Sequence, residues 1–322
     1  MNRCVAACLA LCALLLSPLP ALAAPFAYIP NELDDNVSVI DTASNTVTAI
    51  INVQVAPWGV AVNPAGSRVY VTNTTSGTVS VIDTATNAVI TNIGVGAIPL
   101  GVAVTPDGGR VYVANNGSAT VSVIDTATDT VIATVNVGTG PYGIVVTPDG
   151  SHVYVVNDDN SSNSVSVIRT SDNAVIDTIS VETNPYGIAV TPDGSRVYVT
   201  NYASNTVSVI RTSDNTVIAT INVGSSPTGV AVTPDGGRVY VANNGSATVS
   251  VIDTATNTVI ATVPVGGNAQ GVSVTPDGSR VYVANFNTNN VLVIDTASNT
   301  VTGSPIPVGS GPVALGLFIG PA

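Results

Sequence analysis

A tyrosine standing three residues before an asparagine recurs at Tyr28, Tyr70, Tyr112, Tyr154, Tyr198, Tyr240 and Tyr282, every 42 residues except for one step of 44. A period that strict over seven copies leaves few architectures open, because each unit must bury its apolar face against the next one. Within a unit four short runs recur, as in Gly59-Val60-Ala61-Val62, Arg68-Val69-Tyr70-Val71, Val79-Ser80-Val81-Ile82 and Ala88-Val89-Ile90. They are rich in the β-branched and aromatic residues that suit a pleated, packed surface. Turn chemistry separates them: Thr-Pro-Asp-Gly, as at 105–108, fits a type I turn, and Asp-Thr-Ala-Thr-Asn, as at 83–87, supplies side-chain oxygens for another. Four strands, here A to D, in about 42 residues make one propeller blade. The spacing therefore predicts an all-β, seven-bladed β-propeller forming a single domain over residues 24–322.

The two ends of the chain complement each other. The first copy begins at its B strand, Ala27-Tyr28-Ile29, and lacks an A strand. After the last copy comes a spare run, Gly311 to Ile319, that matches the missing segment. The C-terminus is predicted to supply the innermost strand of blade 1, closing the ring and removing two exposed edges.

Tyr70-Val71-Thr72-Asn73 and Tyr198-Val199-Thr200-Asn201 are the literal YVTN signature, preceded by Pro-x-Gly-Val-Ala-Val-Thr-Pro-Asp-Gly and followed by Val-Ser-Val-Ile-Asp-Thr. The chain resembles the YVTN-family beta-propeller repeat proteins and is similar to propeller modules of archaeal surface-layer proteins. The resemblance implies the fold throughout. For function it implies several alternatives, since related propellers include adhesive modules, lactonases and redox-enzyme subunits, and fold does not dictate function.

Residues 1–23 read as a secretory signal peptide, with Arg3 before an apolar run from Val5 to Leu16 and the small-residue site Ala21-Leu22-Ala23. A secreted, periplasmic or cell-surface location follows, with no membrane insertion. Cys4, Cys8 and Cys12 all lie in that leader, so no disulfide, thiolate nucleophile or cysteine metal ligand is expected afterwards. Past Arg3 the chain carries seven arginines and no lysine against 20 acidic residues. Without a basic stripe, binding to nucleic acid is not expected.

Copies that are nearly identical build frame, and differences between them can specify a partner. Residues 101–135 and 229–263 are the same 35 residues except that Asp129 becomes Asn257. The AB and CD turns share one face, called the bottom, and are monotonous. Hairpin register there sets Arg68 opposite Asp83, Arg110 opposite Asp125, Arg238 opposite Asp253 and Arg280 opposite Asp295, which predicts cross-strand ion pairs. In blades 4 and 5 the register sets His152 near Arg169 and Arg196 against Arg211, with Asp172 and Asp214 as acceptors for the displaced arginines.

The opposite, top face varies. Just before the strand A glycine stand Trp58, Leu100, Tyr142, Tyr186, Thr228 and Gln270, with Val313 completing the ring. The BC loops differ too, from Glu32-Leu33-Asp34-Asp35 to a longer 158–162 loop containing Asp158 and Asp159; Tyr202 and Phe286 open two others. Trp58, Tyr142 and Tyr186 form a candidate aromatic platform for a glycan, a peptide loop of a protein or a small apolar ligand, or alternatively plug the channel or pack between blades. Asp158 and Asp159 could offer oxygens to calcium, but no spaced Asp-x-Asp-x-Asp-Gly loop accompanies them. Asn-x-Ser/Thr triplets such as Asn116-Gly117-Ser118 follow from a Thr-rich repeat.

Catalysis is poorly supplied. The only histidine, His152, sits in the bottom turn region, with no zinc-binding His pair and no phosphate-binding Gly loop. The expectation is a monomeric, non-enzymatic binding propeller without cofactor, recognising a protein or cell-surface glycan through its top face. Two alternatives stay open: a lactonase-like hydrolase or lyase with a carboxylate-held metal at the channel, for which the DA loops offer only Glu182, and an accessory subunit of a periplasmic redox complex.

Overall fold

Six sheets of four antiparallel strands follow one another along the chain, beginning with Pro57–Val62, Arg68–Asn73, Thr78–Asp83 and Ala88–Gly94 of blade 2. The computed structural model describes residues 25–158 and 162–321. The signal peptide reading, with its three cysteines, and Asp159 lie outside those residues.

Blade 1 has three regular strands, Phe26–Asn31, Asn36–Asp41 and Thr46–Asn52, and the chain's other end completes it. The segment after Ser310 runs antiparallel to Phe26–Asn31: Tyr28 N donates to Phe318 O at 2.9 Å, Val313 N to Pro30 O at 3.0 Å and Gly320 N to Phe26 O at 3.1 Å. The same segment also meets blade 2, where Val60 N donates to Leu315 O at 3.0 Å and Val62 N to Leu317 O at 3.1 Å. The ring is closed as expected, as seven blades.

Each letter of the signature has a job. The tyrosine is buried between blades and its hydroxyl reaches the next CD turn: Tyr154 Oη donates to Asn215 Oδ1 at 2.7 Å and Tyr240 Oη to Asn299 Oδ1 at 2.9 Å. The asparagine is fully buried at the top of strand B; Asn73 Nδ2 donates to Thr78 Oγ1 at 3.1 Å and to Ser80 Oγ at 2.9 Å, tying B to C. Threonine appears only where it can bridge blades. Thr72 Oγ1 accepts from Gly59 N at 2.8 Å and donates to Leu100 O of blade 3 at 2.7 Å, and Thr200 does the same with Gly187 and Thr228 O.

The bottom face corrects one expectation. Arg68 does stand opposite Asp83, and Arg110 opposite Asp125, in the strand register. Their guanidinium groups nevertheless leave the blade: Arg68 Nη1 donates to Thr126 O at 2.9 Å and Arg110 Nη1 to Thr170 O at 2.7 Å, both in the next blade's CD turn. Arg196, Arg238 and Arg280 do likewise with Thr254 O, Thr296 O and Thr42 O, so Arg238–Asp253 and Arg280–Asp295 are not ion pairs either. The carboxylates are already committed to their own turns, as in Asp83 Oδ1 accepting from Thr86 N at 2.9 Å and Thr86 Oγ1 at 2.7 Å. The arginines thus fasten neighbouring blades. Asp172 and Asp214 do accept Arg169 and Arg211, each at 2.5 Å, and His152 is on the bottom, its Nδ1 2.7 Å from Ser151 Oγ.

The single difference between the duplicated segments also lies in this seam. Asn257 Oδ1 accepts from Tyr198 Oη at 3.4 Å, whereas Asp129 Oδ1 accepts Arg68 Nη1 at 3.1 Å in place of the Tyr70 hydroxyl. Both residues serve the frame.

Burial pushes the Tyr28 and Tyr154 hydroxyls up to about 12 from 10.0, with nearby aspartates adding to the shift. A raised tyrosine pKa means that the fold needs the neutral form, so the stability is complete below the unfolded value and drains away as pH rises through the folded one. With no lysine to lose its charge in the same range, we expect cooperative loss of the β-sheet circular dichroism between about pH 10 and pH 12, together with the rise in tyrosinate absorbance. Tyrosines titrating near pH 10 in a protein that keeps its sheet signal would contradict this.

Candidate binding mouth of the central channel

Strand A of each blade enters the channel from the top, and in blades 2 to 7 a glycine at its third position lets successive strands touch; blade 1 has Ala314 there. An added Cβ on Gly59 would lie 2.1 Å from Leu100 O of the next blade, and one on Gly187 2.2 Å from Thr228 O. This close ring places the residue before each glycine at the mouth.

Trp58 of blade 2 and Tyr142 of blade 4 have ring centroids 6.4 Å apart in an edge-on arrangement, although blade 3 lies between them. The two side chains therefore reach towards each other past blade 3. Tyr142 packs on Tyr186 of blade 5 with centroids 4.0 Å apart, their hydroxyls sharing a 2.6 Å hydrogen bond, and Tyr186 stacks on Tyr202 at 6.1 Å. The structure thus gathers four of the sequence-derived site residues into one continuous aromatic run. Trp58, Tyr142 and Tyr186 are half-buried, their rings spent partly on one another, and Tyr202 is 39% exposed. The rings pack on one another at the mouth and stay partly exposed, and none of them lines the cavity below.

The other ring positions divide. Leu100, Thr228 and Val313 are buried, and Thr228 Oγ1 donates to Ala269 O at 2.9 Å and Ala242 O at 3.2 Å, which gives it a structural role. Gln270 remains half-exposed at the rim. Phe286 belongs elsewhere on the top, near Leu33, since a Cβ on Gly311 would meet both Phe286 and Leu33 side chains. Asp158 Oδ1 accepts from Asn184 Nδ2 at 3.0 Å and its charge reaches the tyrosine pair.

Glu32 was not singled out in the sequence as a site residue, yet it acts electrostatically on both Tyr142 and Tyr186. Blade 1 and blade 4 are more than a hundred residues apart, so no local pattern announces that meeting. Burial raises the Glu32 carboxyl above the usual range, and it also drives the hydroxyls of Tyr142 and Tyr186 well above theirs.

Beneath the mouth lies a cavity of about 510 Å3 lined by the A strands, including Val104, Val146, Val190 and Val232, and by the C-terminal segment at Leu317. No lining residue is charged. Among the described residues no group of three or more His, Cys, Asp or Glu is placed to hold a metal, and Glu182 does not line the cavity. Also among them, no helix is long and apolar enough to cross a membrane.

Comparison with known proteins agrees with this architecture. The YNCE-like beta-propeller family model matches residues 52–157 and 146–238, and the NHL repeat matches residues 225–252. No curated protein matches the sequence. Among solved structures, Kuenenia stuttgartiensis hydrazine synthase is 27% identical, with 84% of this chain and 92% of that chain covered and a TM-score of 0.78. A functionally unknown protein from Desulfotomaculum acetoxidans is 18% identical, covering 90% of this chain and 99% of its own, also at 0.78. Dihydro-heme d1 dehydrogenase NirN, in complex with DHE, is 16% identical, covering 93% and 77%, at 0.66. The last two likenesses establish the fold alone.

Proposed function

The chain belongs to the YNCE-like beta-propeller family, and from that premise we propose that it is a non-enzymatic binding propeller of the cell envelope that recognises a protein or glycan partner through its top face. The observation that carries this reading is the continuous run Trp58–Tyr142–Tyr186–Tyr202, built from three different blades on a frame whose other face hardly varies. Rigid aromatic rings offer contact area at little cost in side-chain entropy. Catalysis has less to build on, because the cavity below is apolar and uncharged.

The test is capture from cell-envelope extract by the protein and by its W58A/Y142A/Y186A variant, with Y202A as a second variant whose half-exposed ring leaves the core intact. A species held by the unaltered protein, held less by Y202A and lost from the triple variant is the expected result. Full retention by both would remove the aromatic run from the site.

A second reading is supported by one comparison. The 27% likeness to a hydrazine synthase chain over most of both lengths favours a partner within a redox complex over a free glycan. A redox-active protein among the captured species would select it.

A further inference from the structure

We propose that the top face receives a lysine- or arginine-bearing segment of a protein partner, its cationic side chain lying over the Tyr142–Tyr186–Tyr202 rings between Glu32 and Asp158. The inference rests on the top face being the binding face, and it specifies what that face selects.

Charge is divided between the two faces. All seven described arginines are on the bottom: five open B strands beside the Pro-Asp-Gly turns or their equivalent, and Arg169 and Arg211 close C strands at the CD turns. On the top stand Glu32, Asp34, Asp35, Asp158 and Glu182, and no cation among the described residues. The bottom acids have work within the frame, as turn caps or as partners of arginine. Asp34 and Asp35 are likewise engaged, accepting from Ser310 N at 2.6 Å and Ala56 N at 2.8 Å. Glu32 differs, for it is half-buried in the BC loop of blade 1, and no cation among the described residues stands on its face to balance it. A carboxylate moved towards a low-dielectric surface without a counter-charge is unfavourable, and a cation arriving with a partner relieves that cost.

The rest of the face suits the same visitor. A cation over a tyrosine or tryptophan face is attracted by the ring quadrupole, and the attraction strengthens as water leaves. Long basic side chains also carry an apolar stem, and Leu33, Val55, Ile98 and Tyr202 are exposed on the same face to receive apolar neighbours, at 65%, 47%, 48% and 39%. A neutral glycan would gain from the rings and could hydrogen-bond to the acids, but it would bring no charge to balance them. Nucleic acid would be repelled.

Trp58 is the only tryptophan in the chain, so its emission reports on the mouth and ignores the bottom face. The experiment titrates the purified protein with a Lys-Leu-Lys-Leu-Lys peptide, its glutamate counterpart and lysine amide, following Trp58 emission. The lysine peptide is expected to give a saturable change, with affinity falling about tenfold from 50 to 300 mM salt. E32Q/D158N should weaken it about fivefold, and the bottom-face variant D107N/D235N should leave it unchanged. No change in emission, an equal response to the glutamate peptide, or equal weakening by the bottom variant would each overturn the proposal. Saturation by lysine amide alone would overturn the protein segment and leave a small amine as the ligand. If envelope capture yields a neutral glycan that needs the aromatic run, the binding face stands and the cationic partner falls.

Discussion

Deletion of residues 310–322 is expected to abolish cooperative folding or drive the protein into aggregates. The segment buries Val313, Phe318 and Ile319 at 1%, 0% and 2% exposure, and it provides the fourth strand of blade 1. Burying three such side chains contributes roughly 5 to 9 kcal/mol. That is comparable with the whole stability of a typical domain, about 5 to 15 kcal/mol. The deletion also bares two inner edges, Phe26–Asn31 and Pro57–Val62, that the segment now covers, and uncovered edges recruit other chains. Thermal melting with size-exclusion chromatography reads the outcome. A truncated protein that stays monomeric and melts within about 5 °C of the full chain would show that blade 1 closes without its tail.

Gly187→Ala carries the second large effect. The new methyl would sit 2.2 Å from the Thr228 carbonyl oxygen, a backbone atom that cannot swing aside, and 3.1 Å from the Thr200 Oγ1 that bridges these two blades. Overpacking of this kind costs about 3 kcal/mol at the upper end of its usual range. At roughly 2 to 4 °C per kcal/mol, the melting temperature should drop by about 6 to 12 °C. Gly94→Ala is the control, because nothing lies within 4 Å of its added Cβ. It should shift melting by no more than a degree or two in either direction, about 0.5 kcal/mol. Equal melting of the two variants would mean that the inner strands can spread apart, and the mouth would lose its rigid base.

The frame was legible because its physics is local and repeated. Strand positions follow from alternation and turn chemistry within one blade, and Arg68 opposite Asp83 follows from counting back from the hairpin. Where the guanidinium goes is not local. The choice between Asp83 and the Thr126 carbonyl depends on how close the next blade comes, which no single blade encodes. The same limit applies at the mouth. Alignment places Trp58, Leu100, Tyr142 and Thr228 at one ring position, and only the closed ring separates them, folding Thr228 inward onto two carbonyls while bringing Trp58 and Tyr142 together past the blade between them. Glu32 was hidden for the same reason, since the tyrosines that its charge acts on belong to the far side of the ring.

Duplicated text in this protein therefore reads as structure down to its one exception. Asp129 and Asn257 both belong to the seam between blades, each matched to a different neighbour. What distinguishes the blades functionally lies above, where the same inner position carries indole, phenol, hydroxyl or amide.

The most direct test of that division is capture from cell-envelope extract by the protein, by Y202A and by W58A/Y142A/Y186A, with the melting temperature of each recorded alongside. The account predicts that Y202A melts like the unaltered protein and captures less, and that the triple variant captures nothing while remaining folded. Undiminished capture by both folded variants would place recognition away from the aromatic mouth and contradict the account.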